Sequence, residues 1–252
     1  MSSPGQRFSE TAAGYAATMA PSLRPVAARV VDRAQLERGE RVLDIGTGTG
    51  IAAAAARGEG REIIGIDAAP GMLAIARAEV DGVAFEEMDF LTLRFEDLTF
   101  DVVIAAHSLL FATDRVAALA EWRRVTRRGG RLSLSVPGPG EVTPTAIYAE
   151  IYEQHGIDTS DQYPTPEQLA GWAKEAGWTD IATDADPSMA ILLADAAAFR
   201  TWRGIGLRKG RTAQYTPAQH EALTEELLAA TPRDADGLLR LPFGALYLTA
   251  RR

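Results

Sequence analysis

Residues 41–136 alternate short apolar runs with stretches of helical period. Strand-like runs fall at 41–46, 62–67, 83–88, 100–106 and 130–136, and helical runs at 50–57, 70–80 and 113–126. Strand, helix, strand at this spacing requires crossover connections, so the pattern predicts a mostly parallel sheet with helices on both faces. Val102-Val103-Ile104 is apolar without alternation, as suits a strand covered on both sides. Ahead of this block, residues 8–38 carry helical period. Ala12, Ala16, Met19 and Leu23 are three or four apart before Pro25, and Val26, Val30, Ala34 and Leu36 continue beyond it.

Punctuation agrees with these elements. Asp67-Ala68-Ala69-Pro70 is a turn followed by a proline at a helix's first position. Thr165-Pro166-Glu167 starts another helix that runs to about Ala176 and stops at Gly177. Gly129-Gly130 is expected to close the helix before the fifth strand. After Pro137-Gly138-Pro139-Gly140 the alternation ends. A helix is predicted at 145–154, a strand at 181–187, two helices within 194–231 and a last strand at 243–250. Region 188–242 then reads as an insertion between two late strands, either a lid over a substrate or a helical layer that covers the sheet.

The 252 residues suffice for one large α/β domain, and 46% apolar with 24% charged residues is ordinary for a soluble globular protein. The absence of cysteine removes disulfide and thiolate chemistry. A formal net charge of −8 opposes a nucleic-acid binder. No run of about 18 apolar residues could span a membrane, and the polar start at Met1–Gln6 has no apolar run behind it, so the expectation is a cytoplasmic enzyme. No cluster has metal-ligand spacing, so no metal is implied. Oligomeric state is not readable, and a homodimer stays open.

The chemistry is concentrated in Val42-Leu43-Asp44-Ile45-Gly46-Thr47-Gly48-Thr49-Gly50. A strand end passes through three alternate glycines into an alanine-rich helix, and such a turn lets backbone approach a ligand closely. In an open parallel sheet, ligands bind beyond the carboxyl ends of the strands. The second strand ends at Asp67, suited to accept hydrogen bonds from both hydroxyls of a ribose; the alternative is a helix cap before Pro70. A dinucleotide site would want G-x-G-x-x-G, but Ile51 stands where its third glycine belongs, and no P-loop motif occurs.

D-x-G-x-G-x-G at the end of one strand, Asp67 at the end of the next, Asp89 after the third and Gly129-Gly130 before the fifth resemble the class I S-adenosylmethionine-dependent methyltransferases. Phe100-Asp101-Val102-Val103-Ile104, Glu121-Trp122-Arg123-Arg124-Val125 and Gly129-Gly130-Arg131-Leu132 resemble the ubiquinone/menaquinone-type small-molecule branch. The resemblance implies a Rossmann-like fold: a mostly parallel seven-stranded sheet, helices on both faces and an antiparallel last strand. It implies one methyltransferase domain over 1–252, with an N-terminal helical lid (1–38), a cofactor-binding core (39–137) and a C-terminal sheet edge (138–252) carrying 188–242 as a helical substrate lid. The cofactor would be S-adenosyl-L-methionine, leaving S-adenosyl-L-homocysteine as product. By position, Asp44, Gly46, Thr47 and Gly48 would face the methionine part, and Asp67 would hold the ribose. Ala68 and Met72 would flank the adenine, Asp89 would take its amino group and Phe90 would lie beside the ring. Ala105 and Ala106 would pass under the sulfonium, and Tyr15 would come from the N-terminal lid. Met72 and Phe90 also read as plain packing residues.

Methyl transfer from a sulfonium is an in-line displacement, so positioning supplies much of the rate and a nearby base helps a protonated nucleophile. His107, directly after the fourth strand, is the candidate catalytic base; the plainer reading is a histidine in the pocket wall. Leu109-Leu110-Phe111 suggest either a hydrophobic pocket or a core-facing helix start. Trp202 could line the substrate cavity, and Arg203 and Arg208 could pair an acidic substrate, although exposure suits both arginines as well. The Arg123-Arg124 and Arg127-Arg128 pairs read as a solvated helix face. A nucleic-acid methyltransferase would want an [Asn/Asp/Ser]-Pro-Pro-aromatic after the fourth strand to grip a flipped base, and Ala105-Ala106-His107-Ser108 does not match. The expected function is O-, N- or C-methylation of a small-molecule metabolite. The alternative is a protein that binds the cofactor without transferring its methyl group.

Overall fold

The computed structural model describes residues 4–138, 140–158, 163–205, 212 and 214–252. Nine strands are described: β1 (Arg41–Ile45), β2 (Glu62–Asp67), β3 (Ala84–Glu87), β4 (Phe100–Ala106), β5 (Thr126–Pro137), β6 (Thr179–Asp186), β7 (Ala190–Leu193), β8 (Leu239–Pro242) and β9 (Ala245–Arg251). Seven form one sheet in the order β3-β2-β1-β4-β5-β9-β6. The first five are parallel, and β9 runs antiparallel between β5 and β6. The chain reverses its direction of travel across the sheet between β1 and β4, which places a crevice beyond the carboxyl ends of those two strands.

The strands are buried on both faces because alternate residues feed different cores. Val42, Val102 and Ile104 pack under α3 (Ala20–Ala34) and α4 (Ile51–Ala56), with Leu73 and Ala76 of α5 (Pro70–Glu79). Leu43, Ile45, Val103 and Ala105 face the other way, onto α6 (Arg115–Val125) and α9 (Pro166–Glu175). Two short helices, α7 (Pro144–Ile147) and α8 (Ala149–Gln154), precede α9. The α9 start is a formed capping box between Thr165 and Gln168, and Gly177 follows its end at φ +86°. This single pair satisfies two otherwise unpaired helix-start donors.

Several expectations are corrected. The N-terminal helical stretch is three helices rather than one: α1 (Pro4–Glu10), α2 (Ala12–Thr18) and α3, which runs through Pro25 and ends at Gln35 in the left-handed region. Gly129-Gly130 does not close α6. The helix ends at Val125, and the glycines lie inside β5, where pairing with β4 slips between Phe100 and Val102 and Gly129 sits at φ +73°. The insertion is not purely helical. It contains α10 (Ala196–Arg203) and α11 (Pro217–Ala230), but β7 and β8 pair antiparallel as a separate two-stranded sheet at its base. Ile191, Leu193, Leu239 and Leu241 bury one face of that ribbon against α3 and α10. Four-residue strands carry too little alternation to announce themselves beside longer helical patterns.

Candidate cofactor and acceptor site

The turn after β1 is built from backbone that only glycine adopts easily. Gly46, Gly48 and Gly50 lie at φ +67°, +55° and +82°. A side chain on Gly46 would also run into Ser108, whose hydroxyl donates to the Ile45 carbonyl at 2.8 Å. Gly48 is different: nothing lies within 4 Å of the place its Cβ would take, and it lines a large cavity. The open side of the turn is therefore free for a ligand's backbone contacts.

Three carboxylates surround this turn in three environments. Asp44 is fully buried; its Oδ2 accepts from Thr47 Oγ1 at 2.6 Å, and its Oδ1 has no hydrogen-bond partner. Burial pushes its pKa up to about 7, against the pull of the Thr47 hydroxyl and of the Ala53 amide, which does not reach bonding geometry. Asp67 is half-buried at the end of β2. Its Oδ2 accepts from the Gly48 amide and its Oδ1 from the Ala69 amide, both at 2.9 Å. It thus staples the glycine turn to the start of α5, and each oxygen retains a lone pair toward the cavity. Burial raises its pKa against these amide bonds. Asp67 is not the N-cap of α5: that position is Ala69, without a side-chain bond, and the hydroxyl of Ser9 on α1 accepts from the Gly71 amide at 2.8 Å instead. Asp89 is exposed after β3, with Oδ1 taken by the Leu91 amide at 2.8 Å.

Asp67 and Asp89 open on a cavity of about 770 Å³, within the range of ligand sites. Its cofactor end is lined by Gly46, Gly48, Asp67, Ala68 and Asp89, with Ala106 at the end of β4 and Tyr15 reaching in from α2. Asp44 and Thr47 face an adjoining crevice shared with Tyr15 and Ala106. Ala105 belongs to the opposite core and does not reach the cavity. Met72 lines the cavity yet is 2% exposed and packs with Ala12 and Ala69. Phe90 does likewise: it lines the cavity, sets its ring edge against Trp122 at 6.0 Å, and accepts from the Trp122 indole through its carbonyl at 3.1 Å.

His107 lines both this cavity and the adjoining crevice. Its backbone is left-handed at φ +58°, an unfavourable conformation for a non-glycine residue. Its amide donates to the Ser135 carbonyl at 3.0 Å, and Nδ1 is 3.0 Å from Ser135 Oγ. Nε2 is buried with no partner, and burial lowers the ring pKa to about 4. The imidazole is therefore neutral at pH 7. With the proton on Nδ1, Nε2 presents a bare lone pair.

The remaining walls come from far along the chain. Leu109 is core, whereas Leu110 and Phe111 line the cavity. Trp202 lines it too, and so does Arg203, half-buried rather than exposed; Arg208 lies outside the described residues. Sequence reasoning missed Ser9, Ser135, Tyr152 and Phe243. The only signal for Ser135 is a polar residue in the apolar run Leu132-Ser133-Leu134-Ser135-Val136, and Phe243, 5.5 Å from the His107 ring, reads as part of a strand. Among the described residues no helix is long and apolar enough to cross a membrane.

Residues 43–134 match the family model described as a methyltransferase domain. An aklanonic acid methyltransferase of Streptomyces sp. strain C5 is 34% identical over 140 residues, covering 52% of this chain and 64% of that protein. A demethylmenaquinone methyltransferase of Thermus thermophilus is 35% identical over 176 residues, covering 60% of this chain and 80% of that protein. In fold, a phosphoethanolamine N-methyltransferase of Haemonchus contortus, solved with S-adenosyl-L-methionine, superposes with a TM-score of 0.59 at 20% identity over 90% of this chain and 52% of its own. The open face at Gly48, the unpartnered Asp44 oxygen and the free lone pairs of Asp67 fit that cofactor, and the chain belongs to the class I S-adenosylmethionine-dependent methyltransferases that act on small molecules.

Proposed function

We propose that Asp44, Gly46, Thr47 and Gly48 hold the methionine part of S-adenosyl-L-methionine, Asp67 its ribose, and Ala68, Met72, Asp89 and Phe90 its adenine, with Tyr15 and Ala106 beside the sulfonium. When bound, the cofactor supplies an electrophilic methyl group. The acceptor lies on the far side of His107, and positioning by the pocket walls provides the in-line approach. His107 Nε2 accepts the proton, or the hydrogen bond, of an attacking hydroxyl or acidic carbon. Ser135 orients the ring, as its 3.0 Å contact at Nδ1 supports. Helices α1–α3 and the 188–242 insertion act as lids over the two ends. The observation that carries this reading is that the glycine turn and His107, whose buried Nε2 has no hydrogen-bond partner, line the same cavity.

The test is methyl transfer from radiolabelled cofactor to a demethylmenaquinone and to aklanonic acid, the compounds named for the relatives. We expect labelled product from at least one such polycyclic acceptor. His107→Ala should lower kcat by about tenfold or more while leaving cofactor affinity in place. At saturating cofactor the parent's rate should hold from pH 8 down to 5 and fall as pH approaches 4, because protonation fills the Nε2 lone pair. A variant turning over like the parent at every pH would remove His107 from the chemistry.

A further inference from the structure

The cavity contains a charge with no counter-charge among the described residues. Arg203 lines it, and its Nε is buried without a hydrogen-bond partner. On the same helix, Arg200 faces away and pairs with Glu221 and Glu225 of α11. Arg203 forms no such pair among the described residues. The only described carboxylates lining the cavity are Asp67 and Asp89, both at the cofactor end. The other lining cation, Arg115, is stacked over Trp172 at 5.0 Å. The same cavity has aromatic walls from Tyr152, Tyr163, Trp202 and Phe243. A guanidinium presents a fork of donors that matches a carboxylate, and leaving a buried donor such as its Nε unpaired is costly. Aromatic walls favour a flat ring system.

We propose that the acceptor is a planar aromatic carboxylate and that Arg203 selects it by pairing with the carboxylate. The proposal rests on the methyl-transfer reading above, since it assigns the same cavity to an acceptor.

The test is calorimetric titration of the full chain saturated with S-adenosylhomocysteine. The probes are anthraquinone-2-carboxylate and anthraquinone-2-carboxamide, which share a ring system and differ in charge. The acid should bind about tenfold or more tightly than the amide. R203Q should bring the acid down to the level of the amide, and R203K should restore part of the preference. S-adenosylhomocysteine affinity should be unchanged in both variants, which separates selection from a folding defect. Equal affinities in the parent, no binding of either probe, or a preference that survives R203Q would overturn the role of Arg203 while the cofactor reading stands. Failure of S-adenosylhomocysteine itself to bind would overturn both.

Discussion

The two ends of the cavity are made in different ways. The cofactor end is local: Asp44, Gly46 and Gly48 lie within five residues, and Asp67 and Asp89 each end or follow a neighbouring strand. Its contacts are backbone amides and carboxylates held by short-range turns, such as the Asp67 bonds to Gly48 and Ala69. The other end is assembled from distant pieces: His107 after β4, Tyr152 from α8, Trp202 and Arg203 from α10, and Phe243 between β8 and β9. A site built from backbone at a strand end keeps its chemistry while side chains around it vary. A site built from scattered side chains can change its ligand through single substitutions. One end therefore defines the family, and the other defines the individual enzyme.

The sharpest way to break this contrast is Asp67→Ala. It removes the proposed ribose acceptor and frees the Gly48 and Ala69 amides at once, so cofactor affinity should fall at least tenfold, since charged hydrogen bonds contribute roughly 1.5–3 kcal/mol each. Calorimetry with S-adenosylhomocysteine reads this directly, and an unchanged dissociation constant removes Asp67 from the site. Acceptor selectivity should survive at saturating cofactor.

Protons give a second division. Asp44, held near pKa 7 by burial, goes from roughly one-tenth ionised at pH 6 to roughly nine-tenths at pH 8. An ionised carboxylate favours the cationic amino group of the methionine part, so affinity should rise about tenfold over that interval. His107, with its pKa lowered to about 4, does not titrate there. Asp44→Asn should flatten the profile, and a slope that persists in this variant places the titrating group elsewhere.

The smallest effect belongs to the seam between the two ends. Ser9 on α1 supplies the hydroxyl that caps the Gly71 amide at the start of α5, and Gly5 lets α1 approach so closely that an added Cβ would stand 2.6 Å from the Ala68 carbonyl. A cap of this kind contributes about 1 kcal/mol. Ser9→Ala should therefore speed cofactor release about fivefold in stopped-flow displacement, with little change in acceptor binding. An unchanged release rate would detach α1 from cofactor exchange.

Legibility in the sequence follows the same boundary. The alternation of strands and helices over 41–136 and the glycine turn are local signals, and the structure reproduces them within a few residues. The slip at Gly129-Gly130 escaped because a glycine pair signals a positive φ and not the element that contains it. The β7–β8 ribbon escaped because its two strands lie 45 residues apart and each holds only four residues.

By itself the sequence determined the parallel core, the order of its strands along the chain and the glycine turn at the end of β1, because these depend on backbone conformation and on neighbours close in the chain. Only the tertiary structure decided that Ser135 sits on His107, that Trp202 and Phe243 wall the same cavity and that Arg203 lines it with no ion-pair partner among the described residues. Those contacts join residues separated by tens to more than a hundred positions. No local propensity encodes them; they follow from which faces of the insertion and of α1–α3 bury against the sheet.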